Sequence, residues 1–141
     1  MLEFGGAKGS NTGDAFHELW AVRQALRMLD AESKLVGITL EGLCASDEGG
    51  VEKSRWLGVD CGLYYDDEGA ERLDAQQLKY SGADSKRPWT IARVCAGKTD
   101  RSIGAGSVIR RLADVYRGWV IEKKRAADSL SISLVAIRPA G

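Results

Sequence analysis

No stretch of this sequence approaches the roughly 20 consecutive apolar residues that a bilayer-spanning helix needs. Residues Met1 to Ser10 also lack the apolar core of an export signal. Cysteine is scarce: Cys44, Cys61 and Cys95 form no CxxC pair, and any pairing leaves one thiol over. A disulfide-stapled secreted scaffold is thereby excluded, a structural zinc site is not expected, and a reducing cytoplasm is the expected compartment. Neither sign of charge is in excess. Lysine plus arginine and aspartate plus glutamate number 20 each, so the positive surplus of most free-standing nucleic-acid binders is missing. That balance counts less against a nuclease, whose active site adds negative charge of its own.

What is present suits one globular domain. The chain has 141 residues, 44% of them hydrophobic and 28% charged, which allows one proper core and argues against disorder. Residues 1–12, rich in Gly, Ser and Asn, read as a flexible lead-in to a single domain over 13–141. Thr12 or Asp14 can cap a first helix, in which Phe16, Leu19, Trp20, Leu26 and Leu29 face a sheet. Leu35 to Leu40 reads as a strand. Trp56 to Tyr65 and Arg72 to Tyr80 read as a hairpin that turns at Asp67-Glu68-Gly69. Pro88 suits the first turn of a short helix through Cys95. Val108, Leu112, Val115, Tyr116 and Trp119 share one face of a further helix, and Leu130 to Ile137 alternates as a half-buried strand. The expected fold class is α/β, in the order helix, strand, hairpin, helices, strand.

The chemistry concentrates on the hairpin. Asp60 is expected within its first strand, in Gly58-Val59-Asp60-Cys61-Gly62, and Gln77 and Lys79 near the end of its second, in Gln76-Gln77-Leu78-Lys79-Tyr80. Alternation puts Gln77 and Lys79 on one face and Leu78 on the other. Glu41, closing the preceding strand, can bring a second carboxylate to the same edge. This set suits metal-assisted phosphodiester hydrolysis. Asp60, Glu41 and the Leu78 backbone carbonyl are hard oxygen ligands for Mg²⁺, with Mn²⁺ as a substitute. Gln77 adds a neutral amide oxygen, and Lys79 orients the attacking water and offsets charge on the phosphate.

These residues resemble the PD-(D/E)xK nuclease superfamily, in the variant where glutamine replaces the second acid, as in Mrr-like restriction endonucleases. Gly13-Asp14-Ala15-Phe16-His17-Glu18-Leu19-Trp20, Ile38-Thr39-Leu40-Glu41-Gly42 and Gln77-Leu78-Lys79-Tyr80-Ser81 are similar to the double-stranded DNA endonuclease domain of bacterial anti-phage effectors. Those include CBASS-associated endonucleases and the N-terminal domains of antiviral STAND ATPases. The resemblance runs from about Gly13 to Pro139. It implies an αβββαβ core with a mixed central sheet flanked by helices, and metal-dependent cleavage of double-stranded DNA. It also implies activation by homo-oligomerisation through a sensing module absent from this chain, which would then be the N-terminal effector part of a longer protein.

Plainer roles compete for the same residues. Asp60 and Lys79 are also a candidate cross-strand ion pair. Glu18 is a possible extra metal ligand but is expected mainly as a solvated carboxylate, and His17, the sole histidine, as a packing or capping residue. Arg87, beside Lys86 and ahead of Trp89, is the candidate DNA contact. Ala96-Gly97-Lys98-Thr99 ends like a P-loop, yet position 92, where the motif needs glycine, is Ala92. The alternative to a nuclease is a catalytically inactive nuclease-like module for binding or oligomerisation.

Overall fold

The computed structural model describes residues 8–80, 88–96 and 106–137, with side chains from residue 14 to residue 136. Arg87 and the Gly97-Lys98-Thr99 stretch lie outside the described residues. The elements run α1 (Lys8–Ala25), β1 (Leu35–Leu40), α2 (Ala45–Glu48), β2 (Cys61–Asp67), β3 (Ala70–Tyr80), α3 (Ile91–Cys95), α4 (Val108–Tyr116) and β4 (Leu130–Ile137). The strands form one sheet in the order β1-β2-β3-β4. β1, β2 and β3 pair antiparallel, and β4 joins β3 in parallel. A parallel neighbour requires a long crossover, which carries α3 and α4. The class is α/β, with helices flanking a mixed sheet.

The helix α1 begins at Lys8, so Thr12 and Asp14 lie inside it rather than at its cap. The Gly, Ser and Asn of this stretch cost a helix at most about 1 kcal/mol each, too little to stop it. Phe16, Trp20, Ala21 and Gln24 face the sheet, whereas the expected core residues Leu19, Leu26 and Leu29 are exposed. At 3.6 residues per turn the two sets lie on opposite sides of the helix. Apolar residues occupy both sides, so periodicity alone did not tell which one packs.

The hairpin turns on Glu68 and Gly69, with φ of 52° and 90°, the paired left-handed conformation that suits a two-residue connection between twisted strands. Its first strand starts at Cys61, five residues later than expected, because Lys53–Trp56 forms a 3₁₀ turn that sinks Trp56 into the core. In the central strand β3, alternate side chains go to opposite layers. Leu73 and Ala75 pack with Trp56, Val115 and Trp119 under α4; Leu78 packs with Leu35, Cys61 and Leu63 under α1.

Thr90 Oγ1, not Pro88, opens α3 by accepting from the Arg93 N–H at 3.3 Å. In α4, Val108 and Val115 are buried as expected, but Tyr116 is exposed. A π-helical segment, Arg117–Glu122, follows α4 and turns Gly118 and Trp119 inward. A Cβ on Gly118 would come within 2.6 Å of the Trp56 ring, so the close approach of this segment requires glycine there.

Candidate metal centre

At the open end of the hairpin the chain brings together groups from α1, β1, β2 and β3. Glu41 leaves β1 in the left-handed region, φ 55°, and Gly42 follows at φ 121°. Two side chains pin this turn: Thr39 Oγ1 donates to the Gly42 carbonyl at 2.7 Å, and Glu48 Oε1 accepts from the Leu43 N–H at 2.8 Å. Asp60 sits in the bend just before β2, not within the strand. Its own N–H donates to the Gln76 carbonyl at 2.9 Å, and its carbonyl accepts from the Glu41 N–H at 2.9 Å. Its backbone thus ties β1 to β3.

Alternate residues of a strand address the same neighbour, so the Leu78 N–H points toward the β2 side, where β2 has not yet begun. Asp60 Oδ2 takes the place of the missing ladder partner and accepts that N–H at 2.7 Å. The carboxylate is fixed by main chain, and its side chain is only 14% exposed. Burial, the largest influence, raises its pKa, and the nearby Glu41 charge adds to the rise. The Leu78 hydrogen bond, His17 and Lys79 oppose it.

The third member of the group is His17 on α1. Its Nδ1 lies 2.9 Å from Glu41 Oε1, and its Nε2 lies 4.0 Å from Asp60 Oδ2. One ligand atom from each of His17, Glu41 and Asp60 fits within a mutual distance of 4.8 Å, so this cluster could hold a metal ion. The donor set, two carboxylates and one imidazole, fits a divalent cation. A polar chain across the sheet positions the helix that carries His17: Trp20 Nε1 donates to Gln76 Oε1 at 2.8 Å, Gln76 Nε2 to Asp74 Oδ2 at 3.1 Å, and Ser133 Oγ to Asp74 Oδ1 at 3.1 Å.

The other expected site residues divide. Lys79 is half-buried and acts electrostatically on Asp60, with no acid in ion-pair range of it among the described residues. The plainer alternative for Asp60 and Lys79, a cross-strand ion pair, is therefore not formed. Gln77 shares its face, as alternation required, and is 1% exposed, with a buried Oε1 that no donor reaches among the described residues. Such an acceptor is costly to leave unmet, by about 1–3 kcal/mol. Glu18 is exposed and stands outside the cluster. Neighbours on a helix point about 100° apart, so with His17 turned to Glu41, Glu18 cannot share the site. His17 was the residue that sequence reasoning passed over; its one signal was its place beside Phe16 on the side of α1 that packs.

The Arg93 guanidinium of α3 lies 4.1 Å from the Trp89 ring centre, which closes that face of the ring to a base. The cysteines are free, and burial pushes the Cys61 thiol up to about 11, which removes it as a nucleophile. No helix among the described residues is long and apolar enough to cross a membrane. No family model, no curated protein and no solved structure matches the chain.

Proposed function

We propose that the chain is a metal-dependent DNA endonuclease of the Asp…Gln-x-Lys kind, with His17 joining Glu41 and Asp60 as metal donors. The observation that carries this reading is the convergence of those three side chains within 4.8 Å, one residue from Lys79 along β3 through the Asp60–Leu78 hydrogen bond. A bound divalent ion would supply charge neutralisation and an acidified water at the scissile phosphate. The remaining work falls to the chain. The Leu78 N–H holds Asp60 in one orientation. With Glu41 ionised, His17 donates through Nδ1, which in the neutral tautomer leaves the Nε2 lone pair on the Asp60 side. Lys79 contributes an ammonium for developing phosphate charge, and Gln77 offers its unmet oxygen on the same face of β3.

Mg²⁺ is the proposed ion, with Mn²⁺ substituting; the imidazole nitrogen makes the site more accommodating of Mn²⁺ than an all-oxygen cage. Double-stranded DNA is the proposed substrate, and phage defence from the cytoplasm the proposed setting, with homo-oligomerisation as the activating event. Both the substrate and the setting rest on the sequence resemblance. Cleavage of supercoiled plasmid tests the activity: it should require Mg²⁺ or Mn²⁺, stop in EDTA, and be lost in Lys79→Ala. Cleavage that survives Lys79→Ala would sink the proposal.

One observation favours the alternative of an inactive nuclease-like module. The His17–Glu41 hydrogen bond forms without an ion and could serve only to tie α1 to the sheet. A scaffold of that kind shows no divalent-dependent thermal shift.

A further inference from the structure

The side of α1 turned away from the sheet is apolar. Leu19 is 70% exposed, Val22 59%, Leu26 60% and Leu29 83%, and exposed Ala15 extends the row. The spacing 15, 19, 22, 26, 29 alternates steps of four and three, the seam of a helix that packs against another helix. The final turn, Leu26–Leu29, is 3₁₀, where residues three apart eclipse, so Leu26 and Leu29 remain on one line. Contiguous apolar surface of this kind marks an interaction site rather than ordinary exposure. Among the described residues no element packs over it.

We infer that this face binds the same face of a second copy of the chain, with the two α1 helices parallel. Charge selects the partner and the direction. Glu18 and Arg23 flank the seam on opposite sides, five residues apart. In a parallel pair that spacing sets Glu18 of each copy against Arg23 of the other, twice by symmetry. An antiparallel pair that matches Leu19 to Leu29 and Val22 to Leu26 instead sets Arg23 beside its own copy, a like-charge contact. Arg23 lies 5.8 Å from the Trp20 ring centre, at the border of the seam. The formal net charge of zero puts no long-range repulsion between copies. The inference stands apart from the catalytic reading, because none of the seam residues belongs to the metal cluster.

Sedimentation equilibrium over a concentration series of the whole chain tests it. The average mass should rise from 15.2 kDa toward twice that value. Leu26→Glu and, separately, Leu19→Glu should hold it at the monomer while leaving the far-ultraviolet circular dichroism melt cooperative, since both side chains are exposed. Glu18→Arg and Arg23→Glu should each weaken association several-fold, and the double exchange should restore it. A wild-type mass that stays monomeric at the highest soluble concentration overturns the proposal. So does association that both glutamate variants retain. A double exchange no better than the singles overturns the parallel arrangement.

Discussion

The two ends of the β2–β3 hairpin are built on different principles. At the closed end everything is local: Glu68 and Gly69 take the left-handed conformation, and Asp66 Oδ1 accepts the Gly69 N–H at 2.7 Å. Four consecutive residues specify the turn, and each choice agrees with the next. At the open end Glu41, Asp60, Leu78 and His17 arrive from four separate places in the chain. There a carboxylate is buried beside another carboxylate, and a glutamine oxygen has no donor among the described residues. The closed end is locally consistent, while the open end spends stability on an arrangement that folding alone does not ask for. Such departures cluster where a protein does chemistry.

Substitutions at the two ends should therefore separate function from stability. The largest effect is expected from Lys79→Ala: plasmid cleavage should fall by about 10²–10³-fold, the loss typical when a preorganised charge-stabilising donor is removed, with little change in Tm. His17→Ala should weaken divalent binding by at least about tenfold, as read by calorimetric titration with Mn²⁺. Its effect on stability should be within about 1 kcal/mol, because the hydrogen bond it loses ends on an exposed Glu41 carboxylate. At the other end, Gly69→Val forces a β-branched residue to positive φ and should cost about 1–2 kcal/mol in denaturant unfolding. Metal affinity should be untouched. A Gly69 variant that lost metal binding, or a His17 variant that unfolded the chain, would erase the distinction between the ends.

The smallest effect concerns Asp60 and carries a definite sign. Its folded pKa is raised, so between the unfolded and folded values the folded chain holds the extra proton. Stability in EDTA then falls as pH rises through that window and stays lower above it. Asp60→Asn keeps an oxygen for the Leu78 N–H but removes the buried charge. It should raise Tm in EDTA at neutral pH and flatten the pH dependence of stability near the carboxylate range. Divalent ions should reverse the order, stabilising the wild type and not the variant.

The same contrast explains what could be read from sequence. β1, the hairpin turn and β4 were legible because their signals are local: alternation, β-branched residues and a Glu-Gly turn. The shared face of Gln77 and Lys79 followed from strand geometry alone. Asp60 was legible as a candidate site residue, but its place in a bend ahead of β2 was not, since the 3₁₀ turn over Lys53–Trp56 goes with the burial of Trp56. His17 required knowing which side of α1 packs. With Leu19, Leu26 and Leu29 forming as good a stripe as Phe16, Trp20 and Gln24, contacts across the sheet decide it, among them Trp20–Gln76 and the packing of Phe16 on the core. Tyr116 is exposed because, at 100° per residue, it lies about 90° around α4 from the line of Val108 and Val115, at the edge of the buried face.

The most direct test of the central claim is thermal unfolding of the wild type and Asp60→Asn, each titrated with Mn²⁺ and Mg²⁺ against EDTA. If His17, Glu41 and Asp60 hold a divalent ion, the wild type should gain about 2.7 kcal/mol at a hundredfold excess over the dissociation constant, and Asp60→Asn should gain almost nothing. A wild type that melts at the same temperature with either ion as in EDTA would contradict the account.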